Sequence, residues 1–290
     1  MRRALVPLAA IWAFGLFGAC TSFAPSSDVA SNDAGVGVDE GGLLGEASTP
    51  SSDGAQEAAC PALHGPSMVK VTGFCIDSTE VTVGQYAAFL EAMAALPGGG
   101  LGEQPAVCAS NTTFRPPYWW RATPDEADAG RTEAEVDEMP VAVVDWCDAR
   151  AFCAWAGKRL CGRVGGGALT PAEATTTASE WFVACSRNNA RAYPYGDRFE
   201  ADACNGTGSD RRQPVRSNPK CVGGYGGLFD MIGNVEEWVD ACDPDSGVCP
   251  MTGGTFSFPE GSLHCGAPDN QPRMAAFPRG GFRCCATASP

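Results

Sequence analysis

Fifteen cysteines in 290 residues constrain this chain more than any other feature. No two of them form a CxxC pair, and only two histidines, His64 and His264, accompany them. A zinc ribbon or zinc finger therefore lacks its ligand spacing. Reduced cytosolic proteins seldom carry so many thiols, so disulfides closed in an oxidising compartment are the simpler reading. The 36 glycines and 22 prolines add many turns and leave few long elements. Apolar residues make up 44%, enough for a substantial core. With 20 basic and 34 acidic residues the net charge is -14. That excludes a typical nucleic-acid binder, which needs cationic side chains to displace counterions from phosphates. It also argues against a bare anionic surface as partner.

The N-terminus reads as an export signal. Arg2 and Arg3 precede an apolar run from Ala4 to Ala19, interrupted by Pro7. The run is too short for a comfortable membrane span. It ends at Gly18-Ala19-Cys20 and resembles a bacterial lipoprotein signal, in which Cys20 would be acylated and become the mature N-terminus. Phe17 departs from that pattern, where an aliphatic residue is usual. Simple secretion with an unpaired Cys20 is the alternative. Without Cys20 an even number of cysteines remains, as complete pairing requires. Residues 21–59 are rich in Ser, Ala, Gly and Asp, lack Lys and Arg, and hold Phe23 as their one aromatic. Such a segment cannot offset its ordering entropy by burial, so it is expected to be a disordered acidic tether. From Cys60 to Pro290 the composition is that of one globular domain.

Three helices have a local mechanism. Thr82 and Gln85 form a capping box, and Tyr86, Phe89, Leu90 and Met93 follow at helical spacing. Asp145 is a good N-cap for a helix ending near Gly157, with Ala149, Phe152, Cys153 and Ala156 as its buried stripe. A third helix is expected to start near Thr177, with Glu180 three residues on, and to run to Cys185. Strands are expected at 68–76, at 141–144 and near the C-terminus. Residues 96–104 and 162–178 read as loops. The fold class is α+β with little regular structure.

Several motifs then fall in a recognisable order. They are Phe74-Cys75-Ile76-Asp77 with Glu80-Val81-Thr82, Pro140-Val141 to Trp146, and Ala151 to Leu160. Glu180-Trp181, Tyr193-Pro194-Tyr195-Gly196, Gly226 to Trp238, Gly253-Gly254-Thr255 and Gly281-Phe282-Arg283-Cys284 follow. Together they resemble the formylglycine-generating (sulfatase-modifying factor) enzyme family over residues 68–286. The resemblance implies a compact fold related to the C-type lectin-like fold. It also implies a structural calcium held by side chains of Asp230 and Glu237 and by carbonyls of Gly233 and Val235, with Asn234 holding the turn. A weaker second calcium site would involve Asn205 and Gly206. Calcium prefers such oxygen sets.

The family's oxidase chemistry is copper-dependent and uses two cysteines five residues apart. Soft thiolates suit copper(I). Counting from Gly253-Gly254-Thr255, those positions are Phe258 and Leu263 here. Copper is therefore not expected, unless Cys265 with Cys284 or Cys285 rebuilds a site; Cys265 is the weak catalytic candidate. Glu236 replaces a tryptophan that the family places beside its substrate groove. The resemblance further pairs Cys153 with Cys284, and Cys185 with a C-terminal cysteine for which Cys265 is nearest. Cys161 could compete for Cys185. Cys204 with Cys221 and Cys242 with Cys249 would close local loops, and Cys60 with Cys75 would pin the N-terminal edge. The chain shows no GxSxG elbow, no P-loop and no histidine-rich iron site.

The favoured expectation is an exported lipoprotein whose domain is a non-oxidase binding module. A groove at Thr255, Glu236 and Trp238 would hold a peptide, a glycan or an envelope partner. A divergent oxidase acting on cysteine of exported proteins is the alternative, and a purely structural envelope protein the third reading.

Overall fold

The computed structural model describes residues 60–117 and 130–288. The signal, Cys20 and the tether lie outside the described residues. Among the described residues the strands are β1 (Met68–Val71), β2 (Phe74–Asp77), β3 (Arg159–Leu160), β4 (Glu236–Trp238), β5 (Val248–Thr252), β6 (Asp269–Pro272), β7 (Gly280–Phe282) and β8 (Cys284–Thr287). The helices are α1 (Val83–Ala94), α2 (Glu133–Asp137), α3 (Trp146–Trp155) and α4 (Glu180–Ser186). Two sheets form, in the orders β1-β2-β8-β3 and β6-β5-β4-β7. Only Arg283 separates β7 from β8, so the chain changes sheet at that residue.

The capping box of α1 forms as its sequence requires. Thr82 Oγ1 accepts from the Gln85 backbone N–H at 3.3 Å, and Gln85 Oε1 accepts from the Thr82 N–H at 3.0 Å. The helix buries Val83, Tyr86, Ala87 and Phe89, with Leu90 and Met93 half-buried. Asp145 caps α3 by accepting from the Asp148 N–H at 2.9 Å. The rings of Tyr86, Phe89, Phe152 and Phe282 meet at centroid distances of 5.2–6.4 Å and fill the core between α1, α3 and β7. A second core gathers Ile76, Trp181, Leu228, Met231 and Val239 around α4.

Two expectations fail locally. The third helix begins at Glu180 with Ser179 as N-cap, not at Thr177. The reason lies in Glu180, which does not reach back to a cap. Its carboxylate grips Arg159 through both guanidinium arms at 2.5 Å and accepts from the Gly162 N–H at 3.0 Å. Residues 141–144 form no strand, although all are buried. Val143 has a φ of 60°, which breaks the extended path, and the segment is tied by single bonds, Val141 N–H to Val81 O and Val143 N–H to Phe277 O.

Seven disulfides close among the described residues: 60–75, 108–147, 153–284, 161–285, 185–265, 204–221 and 242–249. Cys161 pairs with Cys285, not with Cys185. The reason is register. Arg159 faces Cys285 across the β3–β8 ladder, and Cys161 follows two residues on. Successive strand side chains leave on opposite faces, so adjacent Cys284 and Cys285 reach different partners. The bridge between Cys108 and Cys147 was not anticipated from sequence.

Candidate functional site

The site forms where β5 runs out into Gly253 and Gly254. Both have positive φ, 90° and 66°. A Cβ on Gly254 would lie 2.5 Å from Ser262 O and 3.1 Å from a Leu263 methyl. Only glycine lets the 255–265 loop fold back this closely. Leu263 also presses on Gly206, where a Cβ would stand 2.6 Å from its methyl. Leu263 is 2% exposed, and its burial is worth about 1.5–3 kcal/mol. Phe258 is half-buried, its N–H bonded to Thr255 O at 3.0 Å. These two side chains pack the loop and offer no nucleophile.

Cys265 is bridged to Cys185, and Cys284 and Cys285 are bridged to Cys153 and Cys161. The rebuilt copper site from Cys265 and the catalytic role for Cys265 are therefore corrected: a disulfide sulfur supplies neither thiolate nor nucleophile.

Beside the loop lies a cavity of about 250 Å³ lined by Glu236, Gly254, Phe258, Ser262, Ala267, Pro268 and Asp269. Of the three groove candidates only Glu236 reaches it. Trp238 is core, donating its indole N–H to Val144 O at 3.0 Å. Thr255 is buried, its hydroxyl on Asn234 O at 3.1 Å. Both expectations placed on a surface residues that the loop needs inside. Glu236 has no exposed surface; its Oε1 accepts from Arg279 Nε at 3.1 Å and its Oε2 has no donor. Burial, and then the Asp269 charge, push Glu236 up to about 7 against the pull of Arg279. Asp269 and Arg279 were missed from sequence because only strand register brings β6, β4 and the turn before β7 together.

The loop from Asp230 to Glu237 is knotted to Arg283. Glu237 accepts from Arg283 Nε and Nη2, each at 2.7 Å, and from the Trp181 indole at 2.8 Å. Arg283 also donates to the carbonyls of Asp77, Phe229 and Asp230. Asp230 Oδ2 accepts from the Arg216 N–H at 2.7 Å, and burial raises its carboxyl to about 6. Asn234 holds the turn, bonded to Asn205, Gln213 and Glu80. Gly233 stacks on Asn205, where a Cβ would come within 2.3 Å of the carbonyl.

This arrangement does not fit the calcium set Asp230, Gly233, Val235 and Glu237. Both Glu237 oxygens are committed to a guanidinium, and a divalent ion there would meet a buried cation. Asn205 and Gly206 likewise spend their carbonyls inside the turn, on Asn234 N–H and Ser209 N–H. Among the described residues no three His, Cys, Asp or Glu side chains converge to hold a metal.

Linkage from the buried carboxyls predicts a stability optimum on the acid side. Asp148 accepts from Asn111 at 2.8 Å, and burial, then the Asp145 charge, push it up to about 8. A carboxyl raised in the fold stabilises fully below its unfolded value, and that contribution is lost as pH rises through the folded one. Asp148 therefore acts between about 4 and 8, and Glu236 between about 4.5 and 7, in the same direction. The melting temperature should fall from pH 5 to pH 9 in a calorimetric series. Asp148→Asn should flatten that slope; an unchanged slope contradicts the assignment.

A model of the sulfatase-modifying factor enzyme 1-like domain matches residues 24–288. The chain belongs to this family. Among relatives of the sulfatase-modifying factor family, the mouse protein "Inactive C-alpha-formylglycine-generating enzyme 2" (Mus musculus) is 32% identical over 139 residues, 42% of this chain and 40% of that protein. The mouse formylglycine-generating enzyme is 29% identical over 206 residues, 59% of this chain and 49% of that one. The chain thus spans half or less of the length of these two curated relatives. A solved structure, PvdO from Pseudomonas aeruginosa, aligns with a TM-score of 0.45 at 19% identity, covering 74% of this chain and 80% of that one. The observed mixed sheets, short helices and many disulfides are the architecture that the family resemblance implied.

Proposed function

We propose that this sulfatase-modifying-factor-type domain is a non-oxidase binding module, exported and tethered through lipid on Cys20. It would hold a peptide, glycan or envelope partner in the cavity beside Glu236. One observation carries the reading: every cysteine in the described residues is in a disulfide, while the positions of the reactive thiol pair hold Phe258 and Leu263. Oxidising a substrate cysteine by the family's route needs soft thiolate ligands that this loop lacks. Similarity to a mouse protein named as inactive supports the same reading. The disulfide content suits an oxidising, extracytoplasmic setting.

The test offers the full chain a cysteine-containing peptide under oxygen with copper(I), and measures aldehyde by hydrazide labelling and mass spectrometry. No aldehyde above the protein-free control is expected. Aldehyde that grows with time and stops on copper chelation would establish the oxidase reading instead.

A further inference from the structure

The cavity beside Glu236 has a chemistry of its own. Its wall combines a carboxyl with no exposed surface, a half-buried second carboxyl and an aromatic ring. Glu236 and Asp269 bring two acids, and Arg279 answers with one guanidinium on Glu236 Oε1. That guanidinium also lies 5.4 Å from the Phe258 centroid and 5.1 Å from that of Phe277, which fixes its position. With both acids ionised the trio is one positive charge short.

The remaining oxygen, Glu236 Oε2, is buried, has no donor, and belongs to a residue that lines the cavity. A buried carboxylate oxygen without a donor is costly, and a donor that brings charge relieves it most. The cavity, at about 250 Å³, falls below the range of about 300–1,000 Å³ typical of drug-sized ligands. It suits one side chain. Phe258 adds an apolar wall for the stem of such a chain.

We infer that this cavity takes one basic side chain, presented by a partner peptide, with its cationic nitrogen donating to Glu236 Oε2 and Asp269. The inference deepens the binding-module reading and rests on it. The basic side chain supplies the missing positive charge and the missing donor together. A neutral sugar hydroxyl could supply a donor but would leave the charge unmatched.

The test titrates the full chain with the peptide acetyl-Ala-Ala-Lys-Ala-Ala-amide and with its norleucine counterpart, by calorimetry at low salt. The lysine peptide should bind at least about tenfold tighter, as a charge-assisted contact implies. Asp269→Asn, at a half-buried site that tolerates change, should remove most of that preference, and Glu236→Gln should do the same. Equal binding of the two peptides overturns the inference, as does a preference that survives Asp269→Asn. Binding of a neutral oligosaccharide that the lysine peptide does not displace also overturns it. Loss of the lysine preference with no aldehyde formed leaves the binding-module reading intact; aldehyde formation would sink that reading itself.

Discussion

Arg283→Met should lower the unfolding free energy by about 3–5 kcal/mol, read from guanidinium denaturation followed by circular dichroism. Arg283 has no exposed surface and stands alone between β7 and β8, where the two sheets exchange the chain. It binds Glu237 of β4 in one sheet and the Asp77 carbonyl of β2 in the other. Methionine fills similar space but leaves the Glu237 carboxylate buried with only the Trp181 indole as donor. The cost is therefore chiefly an orphaned charge. The double variant Arg283→Met with Glu237→Leu should recover part of the loss, because removing both partners of a buried pair is far less costly than removing one. Recovery should be incomplete, since three backbone carbonyls also lose a donor. A loss under about 1 kcal/mol would show that the knot does not hold the sheets together.

Replacing Cys153 and Cys284 together by alanine should cost about 5 kcal/mol, by the loop-entropy relation for a separation of 131 residues. The same relation gives about 2 kcal/mol for Cys242 with Cys249, only seven residues apart. The comparison is sharper than either number. Cys153–Cys284 ties α3 to β8, and β8 sits between β2 and β3 in its sheet. Cys242–Cys249 only closes the turn leading into β5. Equal losses would mean that strain or denatured-state structure, not chain restriction, sets the contribution of these bridges. Denaturation midpoints of the two double variants, measured side by side, decide it.

Local rules carried a good part of the fold. Thr82 with Gln85 and Asp145 with Asp148 mark helix starts through bonds made within four residues, so they are legible in any window of sequence. Glu180 looks like another such partner, yet its carboxylate serves Arg159 and the Gly162 N–H. A single sequence does not show which of two uses a glutamate will take. Trp238 and Thr255 were misplaced for a related reason. Both lie next to a loop that carries the family's chemistry, but their polar atoms are consumed by Val144 and Asn234. The cavity's second carboxyl and its arginine were invisible, because Asp269 and Arg279 reach Glu236 only through strand register across the second sheet. Among the cysteines, Cys204 with Cys221 was a candidate for closing a local loop, and the bridge forms. Cys161 with Cys285 needed the β3–β8 register. Phe258 and Leu263, at the positions where the family resemblance puts the thiol pair, were legible directly.

Every cysteine of the described residues is bridged, and Phe258 and Leu263 stand where the family resemblance puts the reactive thiol pair. Thiol titration of the native, non-denatured full chain with a small aromatic disulfide reagent, combined with copper(I) competition, tests this most directly. The expected result is no reactive thiol beyond that of Cys20 when unacylated, and no copper(I) retained against a moderate chelator. Two further thiols titrating together, with one copper(I) bound per chain and lost when Cys265 is replaced, would contradict the account.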